Sequence, residues 1–291
     1  MPLITELARA KINLTLKVLG KRPDGYHEIE SLVAFADVGD DITLDTEGLT
    51  GFRSSGPTAG LIEGLNLAEL TLRHLRDAEP RLRLGRINLV KCLPVAAGIG
   101  GGSADAAAVL RAIRRANPEL ASAIDWQSIA IGLGADVLAC LADQPCYMRG
   151  AGEIVDTLPA LPRLDLLLIN PLVLVPPDKT ARVFRYLAAP PFRLVRRERP
   201  APMNVPNNRV ALLELMRQTG NDLLAPACKV TPEIVAVISA LEEVSGVELA
   251  QLSGSGPTCF GVFATAASAT HAAETIRTKH PDWWIEQVVI G

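Results

Sequence analysis

Apolar and polar positions along this chain follow strand spacing in some stretches and helical spacing in others, without regular alternation between the two. Arg86 to Cys92 (Arg-Ile-Asn-Leu-Val-Lys-Cys) alternates side chains as a half-buried strand does. Ala106, Val109, Leu110 and Ile113 recur at helical spacing, with Arg111, Arg114 and Arg115 on other faces. Ile234, Val237, Ile238 and Leu241 make a second apolar stripe of the same kind. The pattern predicts strands near 3–9, 12–19, 28–36, 41–46 and 86–92, and helices near 64–77 and 101–116. Helix is expected again from Trp126 to Gly132, then strands near 145–149, 153–157 and 164–169. The second half should hold helices near 178–187, 207–217, 230–244 and 267–279, and strands near 248–253, 258–263 and 284–290. This is an α+β chain of two domains. Pro159 and Pro162 interrupt both kinds of element and mark the boundary, giving domains 1–158 and 159–291.

Between the strand at 86–92 and the helix at 101–116 lies Pro94-Val95-Ala96-Ala97-Gly98-Ile99-Gly100-Gly101-Gly102-Ser103-Ala104. Glycine permits positive φ and puts no Cβ between backbone and ligand, so N–H groups can converge on an anion. The helix behind adds its free N–H groups and the positive end of its dipole. A tight turn needs one or two glycines, and each extra one costs roughly 0.5–1 kcal/mol relative to alanine. The loop therefore reads as a phosphate cradle. It contains no Gly-Lys-Ser/Thr, so it is not a Walker loop. The dinucleotide pattern is met only as Gly98-Ile-Gly100-Gly-Gly-Ser103, and Glu119 to Asp125 is a polar connection rather than the end of a second strand. Hydride transfer is the weaker reading.

The loop closely resembles the nucleotide loop of the small-molecule kinase superfamily that includes galactokinase, homoserine kinase, mevalonate kinase and phosphomevalonate kinase. Ala8-Arg9-Ala10-Lys11-Ile12-Asn13-Leu14 is similar to that superfamily's first motif, and Leu252-Ser253-Gly254-Ser255-Gly256-Pro257-Thr258 to its third. Within it, Arg22-Pro-Asp24-Gly25-Tyr26-His27-Glu28 and Leu133-Gly134-Ala135-Asp136-Val137 resemble the branch acting on a cytidine diphosphate-linked methylerythritol. The resemblance implies a two-domain kinase fold with its active site in the interdomain cleft, ATP as phosphoryl donor and Mg²⁺ beside it. Lys11 and Asp136 are then the reacting pair. Pro94 to Ala104, with Asn66 and Lys91, would line the ATP site. Asn13, Tyr26, His27, Thr180 and Phe184 would hold the acceptor, Tyr26 and Phe184 on the two faces of the cytosine. No metal ligand set is identified from spacing.

Taken alone, Lys11 reads as a strand lysine reaching for solvent and Asp136 as a helix N-cap; the motifs reverse that. The chain departs from the family in having Leu138 where proline usually follows Ala-Asp-Val, and a longer segment, Val175-Pro-Pro-Asp-Lys-Thr180, before the threonine. Another kinase of the superfamily and a non-catalytic nucleotide-binding module remain the alternatives.

Composition narrows the rest. The chain has 291 residues, 48% of them hydrophobic and 21% charged, with a net charge of −3 and no long basic run. That balance argues for a globular protein and against nucleic acid as partner. The basic stretch Arg193 to Arg199, flanked by prolines, reads as an exposed loop. No apolar run approaches the length of a membrane span and no leader pattern opens the chain, so a cytoplasmic protein is expected. The five cysteines are scattered and odd in number, as packed free thiols are.

Overall fold

Eleven strands and nine α-helices form among residues 3–62, 64, 66–193 and 205–291, which this computed structural model describes. In chain order they begin β1 (Leu3–Asn13), β2 (Lys17–Lys21), β3 (His27–Asp45), β4 (Gly51–Ser55), α1 (Leu67–Ala78), β5 (Arg86–Val90) and α2 (Gly101–Ala116). There follow α3 (Trp126–Leu133), α4 (Val137–Ala142), β6 (Cys146–Gly150), β7 (Ile154–Thr157), β8 (Leu164–Asn170) and α5 (Lys179–Leu187). The chain ends with α6 (Arg209–Thr219), α7 (Leu224–Val230), α8 (Glu233–Glu243), β9 (Val247–Leu252), β10 (Cys259–Phe263), α9 (Ala266–Lys279) and β11 (Trp284–Ile290). Residues 194–199 of the basic stretch lie outside the described residues.

Two compact units interleave along the chain. The first takes Met1–Lys11, Val38–Val95 and Gly100–Asp143; the second takes Ile12–Asp37, Ala96–Ile99 and Gln144–Gly291. In the first, β5 pairs antiparallel with the end of β3 (Asp41↔Val90 to Asp45↔Arg86) and parallel with β4. A parallel neighbour requires a crossover, and α1 supplies it. The helix α2 buries Ala104, Ala106, Ala107, Ala108 and Ala112, small side chains that let α1 and α4 approach closely.

In the second unit a four-stranded sheet runs β11-β8-β10-β9, antiparallel throughout. Leu167, Ile169, Cys259 and Phe263 from its strands meet Val183 of α5, Ile234, Val237 and Leu241 of α8, and Ile276 of α9 in one core. Burying an aliphatic side chain of this size contributes about 1.5–3 kcal/mol. The beginning of β3 pairs with β2 on one side and β6 on the other.

Most expected elements form, with instructive exceptions. The strands expected near 28–36 and 41–46 are one strand, because Asp37-Val-Gly-Asp-Asp41 only looks like a loop. Gly39 lies so close to β1 that a Cβ would stand 2.4 Å from the Ala8 carbonyl oxygen. Asp40 is fully buried and ion-paired. The strand expected over 12–19 breaks after Asn13, where Thr15 Oγ1 accepts the Leu32 amide and Ser31 Oγ donates to the Thr15 carbonyl. Nothing in the spacing announces the short elements β4, α4 and α7; α7 tolerates Pro226 because a first-turn residue needs no intrahelical N–H bond. None of the five cysteines forms a disulfide. Among the described residues no helix is long and apolar enough to cross a membrane.

Candidate active site

In the first unit, β1 carries Lys11 into the interior, where it is 3% exposed, and its Nζ donates to Asp136 Oδ1 at 2.8 Å. Asp136 stands at the N-cap position of α4 but makes no side-chain capping bond. Its side chain remains 38% exposed, so a carboxylate held by a buried ammonium still faces solvent. Gly100, at φ 65°, is the N-cap of α2, and a Cβ there would lie 3.1 Å from Lys11 Cβ. Glycine thus serves both the left-handed turn and the close passage of the lysine stem. Gly101, Gly102 and Ser103 form the first turn of α2, whose amides have no intrahelical acceptor and no acidic neighbour in that turn. Ala104 N–H already bonds the Gly100 carbonyl.

Beneath Gly101 lies a buried ionic cluster that the sequence did not disclose. Lys91 Nζ, 3.2 Å from where a Gly101 Cβ would stand, donates to Asp105 Oδ2 at 2.7 Å and to Asp40 Oδ2. Asp40 Oδ1 accepts the amides of Cys92 and Leu93 at 2.6 and 2.7 Å. The cluster therefore ties the end of β3, the strand leading into the glycine loop and the second turn of α2. Burial pushes the Asp105 carboxyl up, against the pull of Lys91. Burial opposes the charge on Lys91, and Asp105 and Asp40 overcome it, holding its ammonium above the ordinary lysine value. Lys91, expected near the adenosine, thus has its ammonium on two carboxylates. Asn66, expected beside it, is the N-cap of α1, its Oδ1 accepting the Ala68 amide at 2.8 Å.

In the second unit, the earlier half of the glycine loop is bonded to the third motif. Thr258 N–H donates to the Ala97 carbonyl at 3.0 Å, and Ser253 Oγ to that of Gly98 at 3.1 Å. Gly98 has φ 79°, and a Cβ on it would lie 2.7 Å from Gly256 N, Gly256 O and Ser253 O. Ile99 is fully buried, and Pro94 and Val95 precede this stretch in the first unit. Asn13 donates its backbone N–H to Ser253 Oγ and its Nδ2 to Ser31 Oγ at 2.7 Å.

The turn from β2 to β3 is closed by Arg22 N–H on the Tyr26 carbonyl, with Gly25 at φ 91° and Asp24 Oδ1 accepting the Tyr26 amide. It leaves Tyr26 64% exposed at its tip. His27 follows and stacks on Phe184 of α5, ring centroids 4.5 Å apart and planes at 23°. Burial, aided by the Lys21 charge, lowers the His27 imidazole below its ordinary value, so it is neutral at pH 7. One turn before Phe184, Thr180 Oγ1 lies 3.0 Å from Ser255 Oγ of the third motif. Tyr26, His27, Thr180 and Phe184 therefore share the second unit with Asn13, as Lys11 and Asp136 share the first.

Residues 66–150 match the family model for the GHMP kinases N terminal domain and residues 205–282 that for GHMP kinases C terminal. The chain is 42% identical to the 4-diphosphocytidyl-2-C-methyl-D-erythritol kinase of Bradyrhizobium diazoefficiens, over 98% of this chain and 97% of that protein. It is 44% identical to the enzyme of the same name from Parvibaculum lavamentivorans, over 99% and 98% of the two chains. A solved 4-(cytidine 5'-diphospho)-2C-methyl-D-erythritol kinase superposes with a TM-score of 0.75 at 29% identity, over 99% of each chain. Homoserine kinase from Cytophaga hutchinsonii, at a TM-score of 0.66 and 15% identity, shares the fold. On this agreement of motifs, fold and full-length similarity, the chain is an ATP-dependent GHMP kinase and belongs to the 4-diphosphocytidyl-2-C-methyl-D-erythritol kinase family.

Proposed function

We propose that this kinase phosphorylates a hydroxyl of 4-diphosphocytidyl-2-C-methyl-D-erythritol with ATP, in non-mevalonate isoprenoid precursor biosynthesis. The observation that carries the reading is the Lys11–Asp136 pair, 2.8 Å apart, with a buried ammonium and a half-exposed carboxylate. Phosphoryl transfer asks the protein for alignment, charge stabilisation and a place for one proton. The acceptor oxygen forms a bond to the γ-phosphorus while the bond to the bridging oxygen breaks and ADP leaves; Asp136 takes the hydroxyl proton. A carboxylate is a weak base towards an alcohol, so proton transfer comes late. Lys11, 2.8 Å away, holds the carboxylate in place.

The amides of Gly98 to Ser103 receive the phosphates in this reading, and Pro94 to Ala97, Ala104, Asn66 and Lys91 complete the ATP side. Lys91 acts there from below, by fixing the start of α2. Tyr26, His27 and Phe184 take the cytosine, with Thr180 and Asn13 towards the rest of the acceptor. Among the described residues no three acidic, histidine or cysteine side chains gather into a metal-binding group. Mg²⁺ in such reactions keeps waters and phosphate oxygens and needs only one or two protein oxygens. The Ser103 hydroxyl would provide one, and the ion, when bound, neutralises charge on the β- and γ-phosphate oxygens. Domains 1–158 and 159–291 remain a proposed division; it falls between the stretches matched by the two family models, whereas the compact units change over after Asp143 and interleave before it. A cytoplasmic location goes with ATP as donor.

The test is ADP release with ATP, Mg²⁺ and each of four alcohols. The cytidylyl substrate should be turned over, and galactose, homoserine and mevalonate should not. Turnover of one of those three with no response to the cytidylyl compound would overturn the acceptor assignment.

A further inference from the structure

The longer segment that precedes Thr180 brings a lysine into the interior. Lys179 opens α5 and is 4% exposed. Its Nζ donates to the Ala96 carbonyl at 3.0 Å and to the Gly256 carbonyl, one from each glycine-rich segment. Among the described residues no carboxylate pairs with it. The adjacent acid, Asp178, turns instead to Arg182 at 2.7 Å. Two neutral carbonyls solvate an ammonium without cancelling its charge, and a lysine has three N–H donors to place. Burial alone, with no charged side chain contributing, lowers Lys179 to about 8, so it is still charged at neutral pH. Buried charges in proteins are paired or bound to ions, because an uncompensated one is costly.

The surroundings suit an anion. Thr180, next in sequence to Lys179, and Ser255, next in sequence to Gly256, bring their hydroxyls within 3.0 Å of each other. Ala96, Gly98, Gly254 and Gly256 all have positive φ, the conformation from which concave runs of amides are built, with the Gly256 amide itself donating to the Ser253 carbonyl. The first turn of α5 holds no acidic residue. We propose that Lys179 is the cation of a polyphosphate subsite, unneutralised in the protein alone and balanced by the phosphates of a bound nucleotide. This rests on reading the glycine loop as a nucleotide site. The shared chemistry is a nucleoside di- or triphosphate, from either ATP or the cytidine diphosphate end of the acceptor.

Calorimetric titration of ATP and of CDP into wild type, Lys179→Met and Lys179→Arg tests it, with adenosine and cytidine as phosphate-free controls. Lys179→Met should weaken at least one of the two nucleotides tenfold or more, leave the nucleosides unchanged, and be partly rescued in Lys179→Arg. The nucleotide that suffers identifies the source of the phosphates. Wild-type affinity of Lys179→Met for both would overturn the inference while leaving the kinase reading standing; no ATP binding by wild type would overturn both. If Lys179→Met fails to fold, the wild-type lysine is followed by NMR, its resonance assigned by loss in Lys179→Arg. Its pKa should rise when nucleotide binds, since a nearby anion favours the ammonium. An unmoved pKa with ATP and with CDP overturns the proposal.

Discussion

Asp136 occupies the N-cap position of α4, yet its carboxylate points to the Lys11 ammonium 2.8 Å away and caps nothing. A side chain retained only to start a helix would accept from the amides of that helix. Asp136→Asn keeps the shape and removes the proton acceptor, so turnover should fall roughly 10²–10⁴-fold with ATP affinity largely kept. Lys11→Ala should also cripple turnover. Single-turnover kinetics with wild-type rates in Asp136→Asn would make the residue structural.

The glycines of the loop have different tasks, and two variants separate them. Gly98→Ala forces a Cβ to within 2.7 Å of the backbone of Gly256 and Ser253 at a positive φ. It should lose stability, of order 1–3 kcal/mol, together with ATP affinity. At Gly102 a Cβ meets nothing within 4 Å. Gly102→Ala should therefore stabilise the protein by up to about 1 kcal/mol through helix propensity, while ATP affinity still falls. Chemical denaturation and ATP calorimetry on the same samples read both.

Removing Lys91 leaves the buried carboxylates of Asp40 and Asp105 without their common cation. Lys91→Met should cost about 3–5 kcal/mol in urea unfolding, as breaking a buried pair does. Asp105→Asn turns the cluster into a neutral pair and should cost less. Equal losses would show that the two acids are not alternatives for one charge.

Tyr26 is exposed at a hairpin tip and packs little of the core. Tyr26→Ala should leave the melting temperature unchanged and weaken the cytidylyl acceptor by about 1–3 kcal/mol, the range for base stacking. Phe184→Ala, which removes the ring under His27, should weaken the acceptor as well. Neither should change KM for ATP.

Lys179 also sets a pH dependence. Its pKa in the folded protein is about 8, below the ordinary 10.5. Between these values the unfolded chain binds more protons than the folded one, so stability gains as pH rises from about 8 towards 10.5 and levels off beyond. The contribution is up to about 3 kcal/mol, a penalty present below pH 8 and relieved above it. Lys179→Met should lack it, which appears as a narrowing stability difference between the two proteins across that window in urea titrations.

Local spacing made α2, α8 and the strand before the glycine loop legible, because each repeats its pattern within a few residues. The resemblance pointed to Lys11 in the first motif and to Asp136 in Leu133–Val137 although 125 positions separate them, and the structure puts them in contact. What stayed hidden depends on distant partners. Asp40 reads as a loop residue until Lys91, 51 positions away, is placed on it. Lys179 reads as the first charge of a helix until the carbonyls of Ala96 and Gly256 arrive 83 and 77 positions off. The glycines looked alike in sequence, and only the neighbouring backbone distinguishes Gly98 from Gly102.

The interleaving of the two units has a consequence for synthesis on the ribosome. The first unit ends at Asp143, so all its stretches have been synthesised when about half the chain is made. By then Ile12–Asp37 and Ala96–Ile99 have also been made, but their unit still lacks everything from Gln144 onward. The beginning of β3 must wait for β6, and Gly98 for Gly256, with apolar strand surface uncovered meanwhile. Such waiting segments are where nascent chains aggregate or recruit chaperones. A pause in translation once Asp143 has left the ribosome would lengthen that exposure, and a chain truncated after Asp143 would keep the β2–β3 pairing but lack β6 and the Gly256 backbone against which Gly98 packs.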